Sequence, residues 1–381
     1  MRNELDVLFY AHDGRGYGHV SRTVAIALAL RRLRPNLRLL IVTGSRAVSE
    51  LDGGKLDWLK LPAYRSTIFD RRSIPGTGPS GFCHDSLALV RSELLTEIVS
   101  RLRPRCVLVD HLPLGKADEL KSALNETSKS STRWVLGVRA IPGNKGESVW
   151  SAKSATIVRQ RYVRALWYGD PAIHDPRILS SLRDHLGIPI VSTGFVSRAA
   201  EISSLDSFPS PSPQCVGIVS LSWASVATHR TLGTLLSAIR SRGLEPHRWH
   251  VFGAPITEIS SGQRAGLIFS PFSPVFLSTL RSARLCITYA GYNSITDCLW
   301  ARVPVLLVIR DLQETEQLMH ASSLKRFFGA AVDCVQEHSL TTERVTAAIK
   351  GLLSAERMSL APGLLTGSDT AARELIDILN A

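Results

Sequence analysis

The chain is short of cysteine, short of acids relative to bases, and without a long apolar run. Each shortage closes off a class of protein. Its six cysteines are scattered without C-x-x-C spacing, which argues against a zinc or disulfide framework. Cys106, Cys215 and Cys286 stand in or beside apolar stretches and read as core thiols. No apolar run approaches the roughly 18–20 residues that a membrane span needs. Met1-Arg2-Asn3-Glu4 leads straight toward a strand rather than into a signal peptide, so a cytoplasmic protein is expected. There is no RNP, zinc-finger or helix-turn-helix pattern, no low-complexity tract, no internal repeat, and no Asp-x-Asp motif of the kind that holds a metal at a phosphate.

Acids number 33 against 45 lysines and arginines, leaving a net charge of +12. Such an excess suits nucleic acid, an anionic membrane face or an acidic ligand. Here the charge is spread along the chain, and arginine outnumbers lysine as a GC-rich coding bias would produce. No nucleic-acid partner is expected; peripheral contact with the inner face of a membrane is the alternative use of a basic surface. What is present is a globular composition: 381 residues, 44% hydrophobic and 20% charged, enough for two domains of ordinary size.

The most informative stretch is Leu285 to Ser322. Leu285 to Tyr289 is a short apolar run suited to a buried strand, Ala290 to Asn293 a turn, and Ser294 to Ala301 a helix. Val303 to Ile309 repeats the strand and Asp311 to Lys325 the helix. Strand–turn–helix units in tandem imply an α/β fold with parallel strands. Ligands in such sheets bind at the carboxyl ends of the strands. There, Gly291 admits a close backbone approach, and the helix start at Asn293 and Ser294 offers N–H groups and a positive dipole end for a diphosphate. Asp297 can accept from a ribose hydroxyl; Glu314, Glu316 and Gln317 can read sugar hydroxyls. The same residues also serve an ordinary helix start, with Gly291 in a tight turn and Asn293 or Ser294 as N-cap.

Asp6 to Ala11 reads as the first strand, and a helix begins near His19 or Ser21. The turn between them holds Gly14, Gly16 and Gly18 but matches neither G-x-G-x-x-G nor the phosphate-binding G-x-x-x-x-G-K-[ST] pattern. What opens the helix is His19, with Arg22 three residues on. A helix N-terminus disfavours the imidazolium, and a neutral imidazole can act as a general base; a capping histidine is the plainer role. Arg105 to Asp110 is another buried strand that delivers Asp110 and His111 to the functional edge, where Asp110 can equally cap a helix. Arg139 follows the strand Trp134 to Val138 and suits an anionic acceptor or a diphosphate. Residues 201–214, rich in Ser and Pro, read as a linker. Domains are expected at 1–200 and 215–368, with a last helix at 369–381.

Gly291, Asn293, Ser294, Asp297, Pro304 and Gln317 resemble the nucleotide-sugar half of GT-B glycosyltransferases of family 28, the family of the lipid II-forming N-acetylglucosaminyltransferase. Asp297 stands where that family usually has Glu, and Glu316-Gln317 where it has paired Gln. Gly16, Gly18 and His19 match the family's first, acceptor-side loop. Gly16 to Arg22 is also similar to the turn of UDP-sugar hydrolases that share the fold. The runs around Asp110, Arg139 and Asp170 resemble a bacterial branch of GT-B glycosyltransferases. The resemblance implies two Rossmann-like domains facing across a cleft and a terminal helix that crosses back. It also implies a nucleotide-sugar donor, UDP-linked in the first instance, a hydroxyl acceptor that is small or lipid-linked, and no metal or other cofactor. His19 would be the base, with Asp110 beside it, and Ser222 and Phe272 would lie near the diphosphate and the base of the nucleotide. The rival readings are a UDP-sugar hydrolase using the same His19 on water, and a non-catalytic sugar-nucleotide-binding subunit. Trp223, in a loop where relatives have glycines, is the feature that favours the last.

Overall fold

In the computed structural model, residues 4–12, 18–69, 72–78, 80–142, 148–204, 215–221, 226–240, 244–253, 266–270, 275–311 and 315–381 are described. The chain forms two compact units, Met1–Ile202 with Gly363–Ala381, and Ser203–Pro362. Each is built on a parallel sheet, as an alternation of apolar strands and amphipathic helices dictates.

In the first unit the strands are β1 (Val7–Ala11), β2 (Leu39–Thr43), β3 (Asp57–Lys60), β4 (Arg65–Phe69), β5 (Arg72–Gly76), β6 (Cys106–Asp110), β7 (Arg133–Arg139), β8 (Tyr162–Tyr168) and β9 (Ile190–Ser192). Seven of them form one sheet in the order β3-β2-β1-β6-β7-β8-β9, while β4 and β5 pair as an antiparallel hairpin apart from it. The central strands β1 and β6 are buried along their whole length. That is why each reads as a continuous apolar run rather than an alternation. The order turns back at β1, which lies between β2 and β6, so the crevice above β1 and β6 is the switch point where ligands bind in open α/β sheets.

The second unit carries β10 (Gly217–Ser220), β11 (Trp249–Phe252), β12 (Ile268–Ser270), β13 (Leu285–Tyr289), β14 (Val305–Ile309) and β15 (Val332–Gln336), ordered β12-β11-β10-β13-β14-β15 and parallel throughout. Its switch point lies above β10 and β13, which pair directly.

The last helix, Gly367–Asn380, packs against the helix Gly18–Leu33. Phe195 donates its N–H to Leu364 O at 3.0 Å and Gly367 donates to Phe195 O at 3.1 Å. A Cβ on Gly367 would sit 2.5 Å from the Phe195 carbonyl carbon, so only glycine permits the approach. Arg32 bridges Glu201 at 3.2 Å and Asp369 at 3.0 Å, and Ser368 donates to Glu201 at 2.8 Å. The segment joining the first unit therefore starts at Gly363, ahead of the helix expected from 369. Glu201, expected to open a linker, belongs to the helix Arg198–Ile202 and is buried there. Residues 205–214 lie outside the described residues.

Candidate functional site

Three neighbouring strands of the first unit deliver polar side chains to one edge. His12 follows β1, Asp110 ends β6 with His111 after it, and Arg139 ends β7. The helix Gly18–Leu33 adds His19 and Arg22 from its first turn. His19 Nδ1 lies 2.6 Å from Asp110 Oδ2. Arg22 reaches the same carboxylate twice, from Nη2 at 2.9 Å and from Nε at 3.3 Å. The sequence places these residues 88 and 91 positions apart; the pairing of β1 with β6 brings them together.

The charges settle the tautomer. Burial raises the Asp110 pKa, but the Arg22 charge and the His19 hydrogen bond outweigh it and hold the carboxyl below its ordinary value. The carboxylate is therefore ionised and can only accept. His19 Nδ1 carries the proton and donates it, which leaves Nε2 with a lone pair. The approach of Arg22 Nη2 to Nδ1 at 3.1 Å is then a contact between two donors around one shared acceptor. Burial lowers the His19 pKa; Asp110 opposes this, and Arg22 and Arg139 reinforce it, with a net fall. A neutral imidazole with a fixed tautomer and a lone pair on Nε2 can act as a general base.

His12 and His111 complete the cluster. The His12 ring centroid is 3.8 Å from that of His19, and the His111 ring is 6.3 Å away and nearly parallel. Both are held well below the usual imidazole range, His12 by burial and then by His19, His111 by burial and then by Arg139. His12 went unnoticed in the sequence. Its signal was its place, the first polar residue after a buried strand at the carboxyl edge.

Behind the cluster lies a buried ion pair. Glu119 accepts from Arg91 Nε at 2.7 Å and Nη2 at 2.8 Å, from Tyr64 at 2.7 Å and from Tyr10 at 2.5 Å. The Lys116 N–H donates to the Tyr10 hydroxyl at 3.1 Å. The segment after β6 is thereby tied to β1.

In the second unit, the helix Tyr292–Ala301 starts directly after Gly291, whose φ is −81° and whose position has open space where a Cβ would be. The helix thus begins two residues before the expected Ser294. Asn293 and Ser294 lie within its first turn rather than capping it, and Gly291 is the N-cap. Asp297 is on the same helix but buried to 1% exposure. Pro304 precedes β14. Glu316 and Gln317 open the helix Glu316–Phe328, which starts five residues later than expected. Gln317 Oε1 accepts from the Arg310 N–H at 3.0 Å, so its carbonyl anchors the turn after β14. Arg310 was not singled out from the sequence; its guanidinium carbon lies 3.7 Å from the centroid of Tyr289. The Tyr289 hydroxyl donates to Glu337 at 2.8 Å, which gathers the ends of β13, β14 and β15. Gly14, Gly16, Ser222, Trp223, Phe272 and Glu314 lie outside the described residues. Among the described residues, no three His, Cys, Asp or Glu side chains are grouped to hold a metal ion, and no helix is long and apolar enough to cross a membrane.

Residues 254–363 match the glycosyltransferase family 28 C-terminal domain. No curated protein matches the chain in sequence. Among solved structures, the chain is similar to a spinosyn rhamnosyltransferase at 15% identity and a TM-score of 0.58, covering 99% of this chain and 96% of that one. That enzyme has also been solved with thymidine diphosphate and with spinosyn aglycone. The glycosyltransferase SnogD of Streptomyces nogalater is similar at 14% identity and a TM-score of 0.57, over 99% of this chain and 95% of that one. A putative UDP-N-acetylglucosamine 2-epimerase of Listeria monocytogenes is similar at 12% identity and a TM-score of 0.59, over 98% and 95%. At these identities the likeness is one of fold, and the fold is GT-B. The family 28 match covers less than a third of the chain and is a likeness of that part, which lies almost wholly in the second unit.

Proposed function

We propose that the protein moves a sugar from a nucleotide sugar to a hydroxyl acceptor, with His19 as general base. The observation that carries this reading is the 2.6 Å contact of His19 Nδ1 with Asp110, whose carboxylate Arg22 holds from the other side. The acceptor O–H gives its proton to His19 Nε2 as its oxygen bonds the anomeric carbon. The bond from that carbon to the diphosphate oxygen breaks, and the nucleoside diphosphate leaves with the electron pair. Asp110 is not protonated; it orients the ring and stabilises the imidazolium.

On the donor side, the helix start at Gly291 suits the diphosphate, because aligned N–H groups and the dipole favour an anion. Arg310, at the end of the neighbouring strand, adds a positive charge. Pre-oriented donors aimed at a departing diphosphate stabilise it without a metal, and the reading assigns none. The thymidine diphosphate complex of the spinosyn enzyme supports a nucleotide site on this fold; a uridine donor rests on the likeness to family 28.

The test is a donor screen. The protein is incubated with UDP-, dTDP- and GDP-sugars, with and without a mixture of small and lipid-linked alcohols, and products are followed by mass spectrometry. The reading expects nucleoside diphosphate release that depends on acceptor, together with a glycosylated product. Equally fast release into water would make the protein a hydrolase, and binding without turnover a non-catalytic subunit.

A further inference from the structure

Among the described residues, three ring nitrogens beside His19 have no hydrogen-bond partner: Nδ1 of His12 and both nitrogens of His111. They are closed from solvent, with His12 at 8% and His111 at 2% exposure. Buried polar groups without partners are rare in native proteins and need a reason. His111 also holds a left-handed backbone, φ 74°, a conformation that persists at a non-glycine residue only where its surroundings enforce it. Its N–H is engaged by Gly137 O at 2.8 Å, and its ring lies 6.3 Å from that of His19, centroid to centroid.

We propose that the imidazoles of His12 and His111 form an acceptor subsite, which takes a second hydroxyl of a polyhydroxylated acceptor, a sugar or polyol with hydroxyls on neighbouring carbons. The acceptor's reacting hydroxyl meets His19 meanwhile, so the inference rests on the reading of His19 as the base. The chemistry of the rings selects the ligand. A neutral imidazole offers one N–H donor and one lone pair, and a hydroxyl, which both donates and accepts, matches either nitrogen. A carboxylate or phosphate can only accept and would leave the lone pairs unmet. An apolar alcohol would leave all three nitrogens unpaired. The His19 side chain is 16% exposed, and the His12 and His111 rings lie 3.8 Å and 6.3 Å from its ring, centroid to centroid.

The test uses the full chain with a donor that supports turnover. A glycoside acceptor with neighbouring hydroxyls is compared with its counterpart lacking the second hydroxyl. The wild type should prefer the diol by roughly ten- to a hundredfold in kcat/KM. His111→Phe and, separately, His12→Phe should bring that ratio toward one by raising KM for the diol, with donor affinity by calorimetry unchanged. Equal rates for the two acceptors in the wild type would overturn the subsite and leave the nitrogens to bound water; that comparison needs no variant to fold. Failure of the underlying reading looks different, because no acceptor of any kind would then receive a sugar.

Discussion

His19 Nδ1 lies 2.6 Å from Oδ2 of Asp110, and this contact decides which nitrogen of the ring is left to take a proton. Arg22 fills the other side of the carboxylate, which keeps Asp110 ionised and the tautomer fixed. The rest of the cluster tunes the same ring.

The first prediction is a pH profile. Burial, Arg22 and Arg139 together hold the His19 pKa below its ordinary value of 6.5. Turnover requires the neutral ring, so the acid limb of kcat/KM should fall below pH 6.5. Arg139→Gln removes a charge that disfavours the imidazolium, so the folded pKa rises and the limb should move to higher pH. A limb that stays in place in the variant would show that Arg139 does not act on the titrating group.

A second prediction separates two glycines. Gly291 has an ordinary φ and open space at its Cβ position, so Gly291→Val should unfold at the wild-type midpoint yet lose nucleotide affinity. Gly367→Ala drives a methyl into the Phe195 backbone and should lower stability by about 1–3 kcal/mol by loosening the last helix. Calorimetry and thermal unfolding of both variants check this. Unchanged nucleotide binding in Gly291→Val would move the donor site elsewhere.

The buried Arg91–Glu119 pair gives a third. Both side chains are fully buried, and removing one partner strands the other charge. Arg91→Met alone should cost about 3–5 kcal/mol, while Arg91→Met with Glu119→Leu should recover much of that. Denaturant unfolding measures the cycle. A double variant no better than the single would mean that the tyrosines and backbone carry the cost instead.

Much of the fold was legible in the sequence because parallel strands covered on both faces must be apolar throughout; VLFYA, CVLVD, LCITY and VLLVI could hardly be anything else. The edge was not legible. β3 is mostly exposed along its length, and β4 and β5 pair only with each other, so neither needs an apolar pattern. β15, VDCVQ, is half-buried and interrupted by Asp333. The helix Tyr292–Ala301 begins two residues before its expected start because Asn and Ser are favoured caps, whereas Gly291, with no side chain, takes the cap. Gln317, expected to read a sugar hydroxyl, also accepts from the Arg310 N–H through its side-chain carbonyl, a contact that periodicity does not reveal. His19, Arg22, Asp110, His111 and Arg139 were each visible as residues at strand ends or helix starts. Their convergence was not, because it depends on which strands become neighbours, a property of the whole sheet.

The measurement that tests the account most directly is single-turnover transfer by His19→Ala beside the wild type, with donor affinity measured in parallel. Loss of a general base costs about 10²–10⁴ in rate. The account predicts a fall of that size with donor affinity nearly unchanged, and a smaller fall in Asp110→Asn, which keeps the imidazole but loses its orientation. Wild-type transfer by the His19→Ala protein would contradict it.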